Sequence, residues 1–448
     1  MTEKIFFIML SLMIIASLAL AACGGAAPVT EAPAMADESA SEAEQPAEAV
    51  SLRVWTHQND AFNTGLQELA DAYSAEHPNV TITFETFDYD TYIQTLQTAL
   101  PAGTEADILQ MFGSWVCSYA EGGNLAQVPE DVLPLGQAQE AIFPAQLAGY
   151  VCDEKLFGIP QEFNIEYGAA LVNTRLAAEA GLDGITQGWA SWDEFIADAK
   201  QLAVVQDGVM TRAGYNFTGS DGIAATFYSL ILQNGGQYLT DAGFKVNTPE
   251  GEKALELMKR FVDEGLVDPV LFNDEENWVG DSFFEETSAI GLVGPWVVPE
   301  YSGDFPEVAE VTEYIKLPSL SADPVFVASS GWGLSVSAGS QAQQAAWDFI
   351  SFATLDSANA AQWNLASGTL PALKANASGA AAEQLVAEFP YFQPFLEILE
   401  FGQHEGRFPD RDLVWYEITY PRIINFLQGN ATLEETLETI EREVNESF

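Results

Sequence analysis

Leu52-Arg53-Val54-Trp55 reads as a short β-strand, and Leu66, Leu69, Ala70 and Tyr73 then recur at helical spacing. Val80-Thr81-Ile82-Thr83-Phe84 alternates as a second strand, Tyr92 to Leu100 has the spacing of a second helix, and Asp107-Ile108-Leu109-Gln110-Met111 reads as a third strand. This β-α-β-α-β order implies a doubly wound α/β sheet whose ligand sits beyond the carboxyl ends of its strands.

The same alternation continues along the chain. Ser191-Trp192-Asp193-Glu194 predicts a capping box at a helix start. Thr248-Pro249 opens another helix that buries Leu255, Met258, Phe261 and Val262 and stops near Gly265. Thr432-Leu433-Glu434-Glu435 is a second capping box, before a last helix burying Leu433, Leu437, Ile440 and Val444. At 448 residues and 48% apolar, the chain is long enough for two or three domains with cores of their own. Sixteen basic against 66 acidic residues give a formal charge of −50, which repels phosphate backbones and excludes nucleic acid as a natural partner.

A long apolar run, Ile5 to Ala22, ends in Leu20-Ala21-Ala22-Cys23. Small residues before a single cysteine resemble a bacterial lipoprotein signal, so residues 1–22 are expected to be removed and Cys23 to carry lipid. An uncleaved anchor helix is the alternative. Residues 23–49 follow as an Ala/Glu/Pro-rich tether; Gly24 to Ala49 holds six acidic residues and no basic one, and lacks the apolar surface to fold. The protein is then expected outside the cytoplasm, held to the cell membrane but working in solution. Cys117 and Cys152 would lie in an oxidising compartment, which allows a disulfide; two separate buried thiols are the other reading.

Motifs for chemistry are missing. The sequence has no phosphate-binding loop, no His-Glu-x-x-His and no Gly-x-Ser-x-Gly elbow, and its three histidines share no metal-binding spacing. No cofactor, no metal and no catalysis are expected.

Several segments in order resemble the extracellular solute-binding proteins of carbohydrate ABC importers (family 1, maltose-binding-protein-like). They are Val54-Trp55-Thr56-His57, Ala106-Asp107-Ile108 (with Ala106 where that family has proline), Gly158-Ile159-Pro160, Leu171-Val172-Asn173, Ala180-Gly181-Leu182 and Trp192-Asp193-Glu194-Phe195. Ala289-Ile290-Gly291, Gly294-Pro295-Trp296, Gly331-Trp332-Gly333 and Ala346-Trp347-Asp348-Phe349-Ile350 complete the series across residues 50–448. The resemblance implies a two-lobe periplasmic-binding-protein-like α/β fold, each lobe a doubly wound sheet flanked by helices, with a ligand cleft between. Residues 50–163 and 328–374 would form one lobe, and residues 164–327 and 375–448 the other. It further implies a monomeric lipoprotein that captures a sugar or oligosaccharide and passes it to membrane permease subunits.

A sugar site wants aromatic rings against apolar C–H faces and polar groups at the hydroxyl rim. Trp115, Trp296 and Trp332 follow strand-like runs and resemble ligand-facing positions, whereas Trp192 and Trp347 have core spacing. Trp296 and Trp332 are expected to grip a sugar ring, with Gly331 letting the backbone approach closely. His57, Gln58, Asn59 and Asp60 offer polar contacts, and at least one is expected to touch ligand; a polar loop in which Asn59 or Asp60 only caps the next helix is the other reading. Glu162, Asn164, Ser114, Tyr215 and Asn216 are further candidates. Arg407 is either a structural salt bridge or the anchor of an anionic polyol such as glycerol 3-phosphate. A secreted glycoside hydrolase and a surface lipoprotein without a small ligand are the rival readings.

Overall fold

The computed structural model describes residues 48–240, 242–267 and 278–448. The leader, Cys23 and the tether up to residue 47 lie outside the described residues.

Strand β1 (Val50–His57) runs parallel to β2 (Val80–Phe87) over its whole length, from Val50 opposite Val80 to His57 opposite Phe87. On its other side it pairs in parallel with β3 (Ile108–Phe112), all five residues of which are buried. The crossovers are α1 (Asp60–Glu76) and α2 (Tyr89–Ala102). Asn59 starts α1 by accepting the Phe62 N–H at 3.0 Å, and Asp88 starts α2 by accepting from Thr91. Phe62, Leu66, Leu69, Ala70 and Tyr73 form the buried stripe of α1. Gly103, with φ 65°, takes the left-handed turn that ends α2. Each of these helices, and α3 (Gly113–Glu121) after β3, thus begins at the same edge of the sheet.

The chain completes this sheet much later. Trp332–Val336 lies antiparallel to β3, Trp332 opposite Phe112, and Ile159–Pro160 forms the outer edge. A second sheet holds Ile290–Gly291, Ala169–Asn173 and Thr312–Lys316. The pairs among these three strands are antiparallel, while Ala213 and Asn216 add parallel bridges to Ser288 and Gly291, so the second sheet is mixed. The second lobe relies on helices, among them Trp192–Leu202, Ser220–Gln233 and Pro249–Asp263, to cover a short sheet.

Two apolar cores result. One draws on residues between Leu52 and Ile159 and between Trp332 and Leu373; Trp347 is buried in it. The other runs mainly from Phe163 to Ala328 and from Leu385 to Val444, and includes Trp192. Trp296 packs against both. At the last helix, Leu433–Glu446, Thr432 and Glu435 form a reciprocal capping box, and Leu437, Ile440 and Val444 face inward. Ser191 caps its helix too, but Glu194 reaches back to the Ala190 N–H rather than to that of Ser191. Among the described residues no helix is long and apolar enough to cross a membrane.

A disulfide joins Cys117 on α3 to Cys152, with Cα atoms 5.5 Å apart and a sequence separation of 35. Closing such a loop removes chain entropy from the unfolded state worth about 4 kcal/mol. Replacing both cysteines by serine is expected to lower the unfolding free energy by that order in denaturant melts. Thiol titration of the denatured, unreduced protein should find neither cysteine reactive.

Candidate functional site

The chain passes between the two cores at several points. Glu162–Phe163 pairs antiparallel with Leu370–Pro371, and Phe326–Ala328 pairs in parallel with Gly402–His404. Beside these crossings, between the cores, lies a cavity of about 480 Å³, within the range of small-molecule sites. The first core lines it with the ends of its strands: His57 from β1, Phe112 from β3, and Trp332. Gln58 and Asn59, Phe62 of α1 and Tyr89 of α2 extend that wall. Facing them are Glu162, Asn164 and Glu166 from the crossing, with Asp221, Trp278, Trp296, Glu300 and Tyr416 beyond.

Trp332 is fixed on several sides. Its N–H donates to Glu162 Oε1 at 2.9 Å, and its ring stacks on the His57 imidazole with centroids 4.0 Å apart and planes 7° from parallel. Phe112 and Trp115 meet it edge-on at 5.3 and 5.4 Å. The preceding turn requires Gly331: at φ 65°, a Cβ there would lie 2.9 Å from Glu162 Cγ and 3.1 Å from Asn164 Cβ. His57 covers one face of Trp332 and only 8% of the residue is exposed, so its ring forms a floor of the cavity. Trp296 is half-buried and lies nearly parallel to Trp278, centroids 5.7 Å apart. Its Nε1 donates to Glu166 Oε1 at 3.0 Å, and the Gly294 N–H donates to Oε2 at 2.9 Å, so one carboxylate holds the turn and the ring together.

Burial governs the charges. It pushes the Glu162 carboxyl up to about 7, against the pull of the Trp332 N–H bond. Glu166 is raised as well, first by burial and then by the charge of Asp221, with Glu162 adding to it. His57 is pushed down to about 4 by burial, although its Nδ1–H donates to Gln110 Oε1 at 2.8 Å, so the ring stacked on Trp332 is neutral near pH 7. Behind the cavity, Arg411 is almost wholly buried and donates to Asp221 at 2.8 Å, Glu405 at 3.2 Å and Asp412 at 3.2 Å, and to the Tyr416 hydroxyl at 2.6 Å. Its guanidinium also lies 4.0 Å from the Trp415 ring centre. Burial opposes that charge, but Tyr416 and the surrounding carboxylates outweigh it and hold Arg411 well above its ordinary range.

The structure brings His57, Gln58, Asn59, Glu162, Asn164, Trp296 and Trp332 to one cavity. Asn59 does so while capping α1. Asp60 is exposed in the first turn of α1 and borders a neighbouring depression with Asp88 and Pro299. Ser114 and Trp115 line a smaller hollow beside Arg411, where Trp115 Nε1 donates to Asp412 at 3.2 Å. Three candidates are corrected. Tyr215 is wholly buried against Phe195 and Phe217, because its segment lies inside the second core. Asn216 is buried too, its amide donating to Ser282 Oγ at 2.8 Å. Arg407 is exposed and donates to the Val151 carbonyl, so it neither pairs with a carboxylate in a core nor reaches the cavity. Without it, and with no Lys or Arg lining the cavity among the described residues, an anionic polyol loses its support. Reading the sequence missed Glu166, Asp221, Glu300, Arg411 and Tyr416, as well as the aromatic residues Phe62, Tyr89, Phe112 and Trp278. The run Asp410-Arg411-Asp412 was a signal of a paired arginine.

Two cores joined by crossing segments around an aromatic, polar cavity define a two-lobed binding protein. Residues 59–360 match the family described as bacterial extracellular solute-binding protein, and the chain belongs to it. A binding protein of Brucella abortus (strain 2308) is 24% identical over 244 residues, 54% of this chain but only 57% of that relative's length. The diacetylchitobiose binding protein DasA of Streptomyces coelicolor is 24% identical over 381 residues, 82% of this chain and 83% of its own. The solved GacH receptor of Streptomyces glaucescens, studied unliganded and with acarbose, superposes with a TM-score of 0.71 at 19% identity, covering 89% of this chain and 99% of that one. The family is extracytoplasmic, which places the work of this protein outside the cytoplasm.

Two measurements follow from the buried charges. Glu162 is raised from 4.5 to about 7 in the fold, so across that window the folded protein keeps a proton that the unfolded chain has released. Its contribution therefore falls as pH rises from 4.5 to 7. Glu162→Gln, permanently neutral, is expected to gain up to about 3 kcal/mol over the wild type at about pH 8 and little at about pH 4.5, read from denaturant melts at each pH. Arg411→Ala leaves Glu405 buried and unpaired and should cost about 3–5 kcal/mol in the same assay. The double variant Arg411→Met/Glu405→Gln should recover part of that loss.

Proposed function

We propose that the protein is a receptor that captures a sugar or oligosaccharide in the cleft and delivers it to an ABC-type importer, without chemical turnover. The observation that carries this reading is the composition of the cavity: indole faces from Trp278, Trp296 and Trp332 next to the hydrogen-bonding groups of Glu162, Asn164, Glu166 and Asp221. Aromatic faces match sugar C–H surfaces, and carboxylates and amides accept from hydroxyls. Binding by the related diacetylchitobiose binding protein and acarbose binding by the similar GacH receptor support a saccharide. In the same reading, residues 50–163 with 328–374 and residues 164–327 with 375–448 are the lobes that close on ligand. Residues 1–22 are a cleaved leader, and a lipid on Cys23 with a tether to residue 49 holds the receptor at the membrane. Mass spectrometry of the mature N-terminus tests this last point, and an unmodified Cys23 behind a retained Met1 would overturn it.

The function is tested by thermal shift and calorimetric titration against a panel of mono- and oligosaccharides. A ligand at a hundredfold excess over its Kd adds about 2.7 kcal/mol of stability, and the sugar should be recovered intact. No shift with any saccharide, or release of cleaved product, would overturn the receptor reading. With the best ligand, Trp296→Ala is expected to lose at least about 2 kcal/mol of binding, roughly thirtyfold in Kd, because Trp296 is the half-buried ring of the wall. Trp332→Ala should mainly lower folding stability, by about 3–5 kcal/mol, since His57 and Phe112 lose their packing partner.

A further inference from the structure

We propose that the saccharide selected by this cleft carries a free basic amine, so that the ligand is a cationic aminosugar and not a neutral or N-acylated one. The inference rests on the receptor reading above and narrows its ligand class. Four carboxylates, Glu162, Glu166, Asp221 and Glu300, line the cavity, and among the described residues no lysine or arginine lines it with them. The Arg411 guanidinium behind the wall pairs with Asp221 and is shared with Glu405 and Asp412, so among the described residues Glu162, Glu166 and Glu300 keep no basic partner. His57 is neutral and its Nδ1–H is engaged by Gln110.

A second observation is independent of the carboxylates. Asn164 lines the cavity, is nine-tenths buried, and its Oδ1 has no hydrogen-bond partner among the described residues. A buried acceptor left unpaired is costly, which leaves a donor to be supplied from outside. The wall is thus rich in acceptors, and the charges of two of its carboxylates, Asp221 and Glu162, both act on the Glu166 carboxyl. A sugar hydroxyl donates one hydrogen and brings no charge. An ammonium donates three, and its charge lets Glu162 and Glu166 release the protons that burial makes them hold, so that they accept from it as carboxylates. The paired Trp278 and Trp296 rings and the Trp332 indole add π-faces that favour a cation over a neutral group. An N-acetyl group removes both the charge and two of the donors.

The test is calorimetric titration of the full chain at low salt with matched sets of glucose, galactose and mannose and of β-1,4-linked glucose disaccharides. Each is supplied with hydroxyl, free amine and N-acetyl at the 2-position. The expected result is that at least one free-amine sugar binds about tenfold or more tighter than both of its counterparts. That preference should narrow with added salt and in Glu166→Gln. Glu300→Gln, at the exposed rim, is the second variant should loss of the Glu166 bonds to Gly294 and Trp296 prevent folding. If neutral or N-acetylated sugars bind and every free-amine form binds no tighter, this proposal falls while the receptor reading stands. If no saccharide binds in any form, or only a sugar-free amine such as spermidine binds, both fall.

Discussion

Arg411 is the charge around which the cleft is arranged. Taking a guanidinium to 2% side-chain exposure costs several kcal/mol unless its donors are met, and here Asp221, Glu405, Asp412 and the Tyr416 hydroxyl meet them. Glu405 is fully buried and passes the constraint on: it accepts from the hydroxyls of Ser329 and Ser330 and from the Ser330 N–H. Those serines lead directly into Gly331 and Trp332. One ion pair in the C-terminal part of the chain therefore fixes the turn that sets the cavity floor. The π-helical turn Leu413–Thr419 follows at once, and it places Tyr416 where its hydroxyl bonds both Arg411 and Asp221. Such turns often mark functional positions in helices.

The second constraint is aromatic. His57 closes β1, Phe112 closes β3, and both meet Trp332, so three strands of one sheet end in a single ring cluster. Trp296 answers from the other side, tied through Glu166 to the crossing segment and packed against both cores. A ring that touches both cores is sensitive to their separation. Closure about hinge segments couples capture to a change of shape in two-lobed proteins, and Trp296 stands where both cores meet the cavity.

The first lobe was legible because its signals are local. Alternation in Val80–Phe84, the stripe Leu66, Leu69, Ala70 and Tyr73, and the cap at Asn59 each lie within a few residues and appear in the structure as strand, buried helix face and N-cap. The crossing residues Glu162 and Asn164 were legible only through resemblance to a family. Glu166 and Asp221 were not, because 66 acidic residues leave no local mark on those that turn inward. Choosing Arg407 over Arg411 shows the same limit: the two are four positions apart, and only the fold puts one at the surface and the other beside Glu405. Tyr215 and Asn216 failed for a related reason. A polar-tipped pair after a turn reads alike whether its strand faces a cleft or, as here, an enclosed core.

The two walls of the cleft differ in electrical character. The first lobe offers the N-terminal ends of α1, α2 and α3, through Asn59, Tyr89 and Phe112, and such ends carry unpaired N–H groups and partial positive charge. The carboxylates come instead from the crossing and the second lobe. Since Asn59 already spends its side chain on the Phe62 N–H, the first wall is partly self-satisfied, whereas Asn164 and the carboxylates opposite it retain accepting capacity. Hydrogen-bond demand is therefore concentrated on one side of the cavity and aromatic packing runs across its floor. In the proposed receptor that asymmetry would orient a ligand, with its donors toward Glu162, Glu166 and Asp221 and its apolar face on the indoles. In that reading, closure about the crossing segments would favour a ligand that carries both kinds of surface.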